Sequence, residues 1–250
     1  FIAHGIEENY KAYFGSEKGY EKFIRKLFQY LHAKLQSASK KIPLYFVMGN
    51  NDGYLGDYVA NAGEQFFKDI KEEWPLLTEK GEHKSDLLSR SGNYAISTFP
   101  LWRLLILNTN LFYKKTEGKL KDFYANESLI WLSEQLKYAE KNNQKVLMFY
   151  HIPYGIQPSK RYLPTDIASL WTPHSNEQFL KLATHYKKII KGMIHGHVHR
   201  NAFMTMHKNR KNPLPQQLVS SLSPIFGNTP SFSLFYFKEN KLSMQKIDLK

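Results

Sequence analysis

Three segments of this chain close short apolar runs with side chains able to bind a metal or a phosphate. They are Gly49-Asn50-Asn51-Asp52, His151-Ile152-Pro153 and Gly196-His197-Val198-His199. Ligands of α/β folds gather outside the carboxyl ends of strands, so loops from distant parts of a chain can meet there. Two histidines two residues apart on an extended segment point the same way, which suits a shared metal cluster. Gly196 is read as the tight turn that lets both imidazoles reach inward. The chain has no cysteine. Disulfides and thiolate sites are thereby excluded, and any metal must be held by His, Asp, Glu or Asn.

Each signal has a plainer reading when taken alone. His32 and His185 fall on helical stretches and read as surface or satisfied side chains, as do His83, His174 and His207. His195 reads as a packed strand residue, and Asn50-Asn51-Asp52-Gly53 has the composition of a simple turn. The combination, in this order and always after apolar runs, argues for a site.

The elements that must position these residues follow from periodicity. Residues 7–39 read as helix, with Phe23, Leu27, Phe28, Leu31 and Leu35 as the apolar face. Residues 44–48 read as a buried strand, 57–74 as a helix ended by Pro75, and 93–99 with 101–107 as two strands. Residues 111–125 are lysine-rich without clean period and read as surface loop; Asn126-Glu127-Ser128 opens a helix ending near Lys141. Lys145–Tyr150 reads as a strand, Ser175 as the cap of a helix running to about Ile190, and Met193-Ile194 as a short strand. Residues 202–207, 217–221, 232–237 and 242–249 read as strands. An α/β first part and a β-rich end predict two packed sheets with helices outside, in one domain over 1–250.

Composition is consistent with a soluble globular domain: 42% hydrophobic, 23% charged, no run approaching a membrane span. The formal charge of +13 favours anionic partners such as phosphate esters, nucleic acid or anionic lipid surfaces. The lysines are scattered over helices, so solvated faces account for most of them.

The ordered blocks resemble the calcineurin-like metallophosphoesterases, whose signature runs Asp-x-His, Gly-Asp, Gly-Asn-His-Asp/Glu, His and Gly-His-x-His. The last three blocks stand here between Gly49 and His199. His151-Ile152-Pro153-Tyr154-Gly155 and Asn228-Thr229-Pro230-Ser231-Phe232 are similar to segments of the acid sphingomyelinase-like branch, and Phe1-Ile2-Ala3-His4 resembles the end of its Gly-Asp-x-x-Ala-His motif. The resemblance implies an α/β/β/α sandwich of two mixed sheets flanked by helices, with the first strands, the Asp-x-His and the bridging Asp upstream of Phe1. It places Asn50, His151 and His197 on one divalent metal and His199 on a second, with zinc usual in this branch and iron or manganese elsewhere. It implies a hydrolase of phosphoric esters using a metal-bound hydroxide, with a small-molecule or lipid-headgroup substrate, and a secreted or periplasmic location. A nuclease or nucleotidase with the same centre, and a non-catalytic binding module keeping the fold, are the alternatives.

One departure matters. Asn51 stands where the family has the histidine that contacts phosphate and protonates the leaving group. A carboxamide donates hydrogen bonds but transfers no proton at neutral pH, which leaves Asn51 a substrate-binding role. His4, in the Ala-His pair, becomes the candidate acid.

Overall fold

The computed structural model describes residues 6–38, 45–59, 65–73, 90–99, 101–155, 157, 169–206, 213–238 and 241–249. Strands β1 (Tyr94–Phe99), β2 (Trp102–Leu107), β3 (Lys145–Tyr150), β4 (Ile190–His195), β5 (Ala202–Met206) and β6 (Leu214–Leu218) form one sheet in the order β1-β2-β3-β4-β6-β5. β2, β3, β4 and β6 run parallel, and the edges β1 and β5 are antiparallel to their neighbours. A parallel interior must be covered on both faces, which is why β2 and β3 read as nearly unbroken apolar runs. Alternation then sorts their side chains. Leu105, Leu107, Val146 and Met148 pack under Leu129, Leu132 and Leu136 of helix α4 (Lys121–Lys141) and Phe179 of helix α5 (Pro173–His185). Ile106, Leu104 and Phe149 face the opposite layer, built from helices α1 (Ile6–Phe14), α2 (Glu17–Ala38) and α3 (Gln65–Glu73).

A second sheet, the antiparallel hairpin β7 (Ser231–Lys238) and β8 (Lys241–Asp248), lies across β4 and β6. Phe235 and Met244 of the hairpin and Met193 and Gln216 of the large sheet line a cavity of about 130 Å³ between them. The expected architecture of two sheets flanked by helices is therefore present, although among the described residues the second sheet is a purely antiparallel pair.

Several elements differ from the expectation, each for a local reason. The first helix is two helices. Gly15 takes φ 78° and ends α1, and the Ser16 hydroxyl accepts from Gly19 N–H to start α2. The buried stripe of α2 is Tyr20, Ile24 and Phe28, at four-residue spacing, whereas Phe23 and Leu35 are exposed. Residues 45–48 enter no ladder among the described residues. The Tyr94 hydroxyl instead donates to Phe46 O and accepts from Phe46 N–H, so one side chain replaces a strand partner. The helix expected over 57–74 is described only from Gln65; Tyr58 takes φ 57° and Val59 bridges Glu117, an arrangement no helix allows.

Residues 111–125 are a surface loop only over 114–120. Thr109–Phe112 form a buried 3₁₀ turn, Phe112 packs edge-on to Trp171 with centroids 5.0 Å apart, and α4 already begins at Lys121. Helix α5 is capped by Thr172, whose hydroxyl accepts from Ser175 N–H, with Pro173 in the first turn. It ends at His185, because Ile190 already belongs to β4.

Candidate metal centre

β3 and β4 are parallel neighbours with Tyr150 paired to His195, so the residues that follow leave the sheet side by side. Gly196 N–H donates to His151 O over 3.1 Å and locks the two loops together. The third loop is folded by its own polar groups. Gly49 N–H donates to Asp52 Oδ2 at 2.8 Å, Asp52 N–H donates to Gly49 O, and Asn110 Nδ2 donates to the same carbonyl. A Cβ on Gly49 would lie 3.1 Å from Asp52 Oδ2 and 3.5 Å from His151 Cε1. Gly49 is therefore the glycine that close approach requires.

These loops bring three of the four expected ligands into contact. Asn50 Oδ1 lies 2.7 Å from His151 Nε2 and 3.1 Å from His197 Nδ1, and the two imidazole centroids are 5.2 Å apart. The amide nitrogen of Asn50 points away and donates to Asp57 Oδ1 at 2.6 Å, which fixes the oxygen toward the histidines. Asn50 is buried and both rings are half-buried. Tyr58 and Tyr113 stand edge-on to His197, with centroids at 6.2 and 5.8 Å. Burial raises both phenols above the ordinary tyrosine range, so each is neutral at pH 7 and able to donate a hydrogen bond.

The histidine pair is not on an extended segment. His197 takes φ 68° and His199 φ 56°, while Gly196 has no positive φ. Left-handed backbone at non-glycine residues costs about 1–3 kcal/mol each and clusters at functional sites. The strain falls on the histidines themselves. His197 faces Asn50, whereas the His199 ring meets Phe226, with centroids 4.9 Å apart. Asn51 is half-buried in the turn beside Asn50. His4 lies outside the described residues, as do His83 and His207. His195 is buried against Tyr150, stacked at 5.2 Å, and burial pushes its pKa down to about 3 against a weaker opposing effect of Gln216. It is a neutral packed residue of β4.

The calcineurin-like phosphoesterase family model matches residues 8–201, most of the chain and all three loops. The chain belongs to the calcineurin-like phosphoesterase family. Among curated proteins it is 27% identical over 216 residues to the mouse cyclic GMP-AMP phosphodiesterase SMPDL3A, covering 82% of this chain and 46% of that protein. It is 24% identical to the mouse acid sphingomyelinase-like phosphodiesterase 3b over 68% of this chain and 37% of the relative. Sphingomyelinase phosphodiesterase C of Dictyostelium discoideum matches at 23% identity, over 73% of this chain and 38% of its own length. The chain thus spans about half the length of the curated relatives it matches. A crystallised dimetal phosphatase from Danio rerio superposes with a TM-score of 0.55 at 16% identity, covering 86% of this chain and 71% of that one, a likeness of fold.

Family members hold divalent metals, which set the spacing that a donor set must meet. Metal bonds to His nitrogen and amide oxygen are about 2.0–2.2 Å, which puts neighbouring donors roughly 3 Å apart. The contacts of 2.7 and 3.1 Å about Asn50 Oδ1 meet that requirement. Among the described residues no three His, Asp or Glu side chains form such a group, and a trio would need the Asn50 amide oxygen beside His151 and His197. Asp57, Tyr58, Tyr113 and Phe226 were not singled out by sequence. Only the acidic Asp57, a few residues beyond the Asn-Asn-Asp turn, carried any signal.

Proposed function

We propose that this chain carries ligands of a dimetal centre in a hydrolase of phosphoric esters, with phosphodiesters as the favoured substrates. The single observation that supports it is the contact of Asn50 Oδ1 with both His151 Nε2 and His197 Nδ1. These three atoms would hold one metal, and the family resemblance assigns His199 to a second. Bound metals would supply Lewis-acid polarisation of the phosphoryl oxygens and a water acidic enough to attack at neutral pH. The chain's own residues do the rest. Neutral imidazoles and a carboxamide leave the centre net positive and attractive to a phosphate diester. Asn51 donates a hydrogen bond to a phosphoryl oxygen, and His4 protonates the leaving oxygen. The overall charge of +13 adds long-range attraction for anionic esters. The relatives named for cyclic GMP-AMP and for sphingomyelin share the phosphodiester bond, which supports that class over a monoester.

Asp57 orients Asn50, as outer residues commonly orient metal ligands. Calorimetric titration of the metal-stripped natural protein with zinc or manganese should show binding and restore hydrolysis of bis-p-nitrophenyl phosphate. Asp57→Ala should weaken that binding about 10–100-fold, and Asp57→Asn by less. Hydrolysis that survives complete metal removal would sink the proposal. An unchanged metal affinity in Asp57→Ala would remove Asp57 from it.

A further inference from the structure

The segment between β6 and β7 exposes three large apolar side chains: Leu222 at 63%, Ile225 at 52% and Phe226 at 62%. They are held out on a braced loop. Asn228 Nδ2 donates to Ser221 O and Ser223 O, Ser223 N–H donates to Ser221 Oγ, and Ser231 N–H donates to Ser221 O. A turn from Gly227 N–H to Pro224 O, with Gly227 at φ 71°, directly follows Phe226. Hydrogen bonding of this kind fixes a loop in one shape, so the exposure is built in. Clustered exposed apolar side chains mark a contact surface, and here the location says for what. The Phe226 ring meets the His199 ring at 4.9 Å and 64°. His199 is two residues from His197, a Cα separation of at most about 7 Å. The loop of Phe226 therefore borders the segment that carries His197 and His199, and an ester held at Asn50, His151 and His197 would present a substituent on that side.

We propose that Phe226, flanked by Leu222 and Ile225, is the specificity surface of this centre and packs against an apolar or aromatic substituent of the phosphate ester. It rests on the phosphoester reading of the adjacent site. The shared chemistry is a flat or alkyl apolar group beside a phosphate, supplied either by a nucleobase-like ring or by a hydrocarbon chain. A small polar ester gains nothing from the loop. A substituent that buries its apolar area against the phenyl ring and its neighbours binds roughly tenfold or more tightly.

The test uses non-hydrolysable phosphonates that share one headgroup. Methyl-, octyl- and benzylphosphonate are titrated calorimetrically into the metal-loaded natural protein and its Phe226→Ser variant. Wild type should prefer octyl- or benzylphosphonate over methylphosphonate by about tenfold or more, and Phe226→Ser should bring that ratio to within about twofold of unity. A gain confined to the benzyl compound identifies ring stacking, one confined to octyl identifies chain packing, and both support the proposal. Leu222→Ser, at a side chain that is largely exposed, reads the same ratio should Phe226→Ser not fold. Equal affinities in wild type, or a preference that survives both substitutions, overturns the proposal. Binding to phosphatidylserine vesicles that falls in Phe226→Ser while the phosphonate ratio stays intact overturns it too, and assigns the loop to a membrane surface. The two readings fail separately. Loop-dependent octyl binding by a protein that hydrolyses no ester keeps the surface and removes the hydrolase. Ester hydrolysis blind to the substituent does the reverse.

Discussion

His197→Ala and Asn50→Ala in the natural protein should each lower kcat/KM for a phosphodiester by about 10²–10³-fold, a loss of roughly 3–4 kcal/mol of transition-state stabilisation. The size follows from geometry. Asn50 Oδ1 touches both imidazoles, so removing either side chain breaks the donor set and not merely one contact. Asn50→Ala also removes the amide that donates to Asp57 Oδ1. Lys187→Ala, at a partly exposed position after α5 and away from the three loops, should stay within about 0.5 kcal/mol of wild type in stability and within about twofold in turnover. Steady-state kinetics with bis-p-nitrophenyl phosphate, run beside metal analysis of each variant, separates the cases. Comparable turnover in all three would remove metal catalysis from this site.

The second large effect concerns the proton. Asn51 cannot supply one, so the acid is assigned to His4 as part of the proposed mechanism. General-acid help is worth about 10²–10⁴-fold and matters most when the leaving alkoxide is poor. His4→Ala should therefore reduce hydrolysis of an alkyl phosphodiester by about that factor, yet leave a p-nitrophenyl ester within a few-fold of wild type. Asn51→His, which restores the family's residue, should recover part of the alkyl rate in the His4→Ala background. Equal losses on both substrates would mean that His4 acts on folding or metal binding and that the acid lies elsewhere.

The parts of this molecule that were legible in its sequence are those where chemistry or local pattern is enough. Asn50, His151 and His197 stood out because polar, metal-competent residues ended apolar runs, and the parallel pairing of Tyr150 with His195 explains why two of those ends meet. Lys145–Tyr150 matched its expectation residue by residue, since a buried parallel strand must be apolar on both faces. The misses came from tertiary effects. The run at 45–48 is as apolar as a strand, but the Tyr94 hydroxyl serves the Phe46 backbone that a neighbouring strand would otherwise serve. The lysines of 111–125 hid Leu111, Phe112 and Tyr113, whose burial depends on α4 and on Trp171 far along the chain. Nothing local announces that His197 and His199 adopt left-handed backbone, where an extended segment was expected. The His199 ring meets Phe226, and the exposed apolar side chains of that loop have no periodic signature at all.

The most direct test of the central claim is anomalous X-ray scattering from crystals of the natural protein loaded with zinc or manganese. A metal peak is expected about 2.0–2.2 Å from Asn50 Oδ1, His151 Nε2 and His197 Nδ1 together. Crystals of active, metal-loaded protein in which every metal lies away from these three atoms would contradict it.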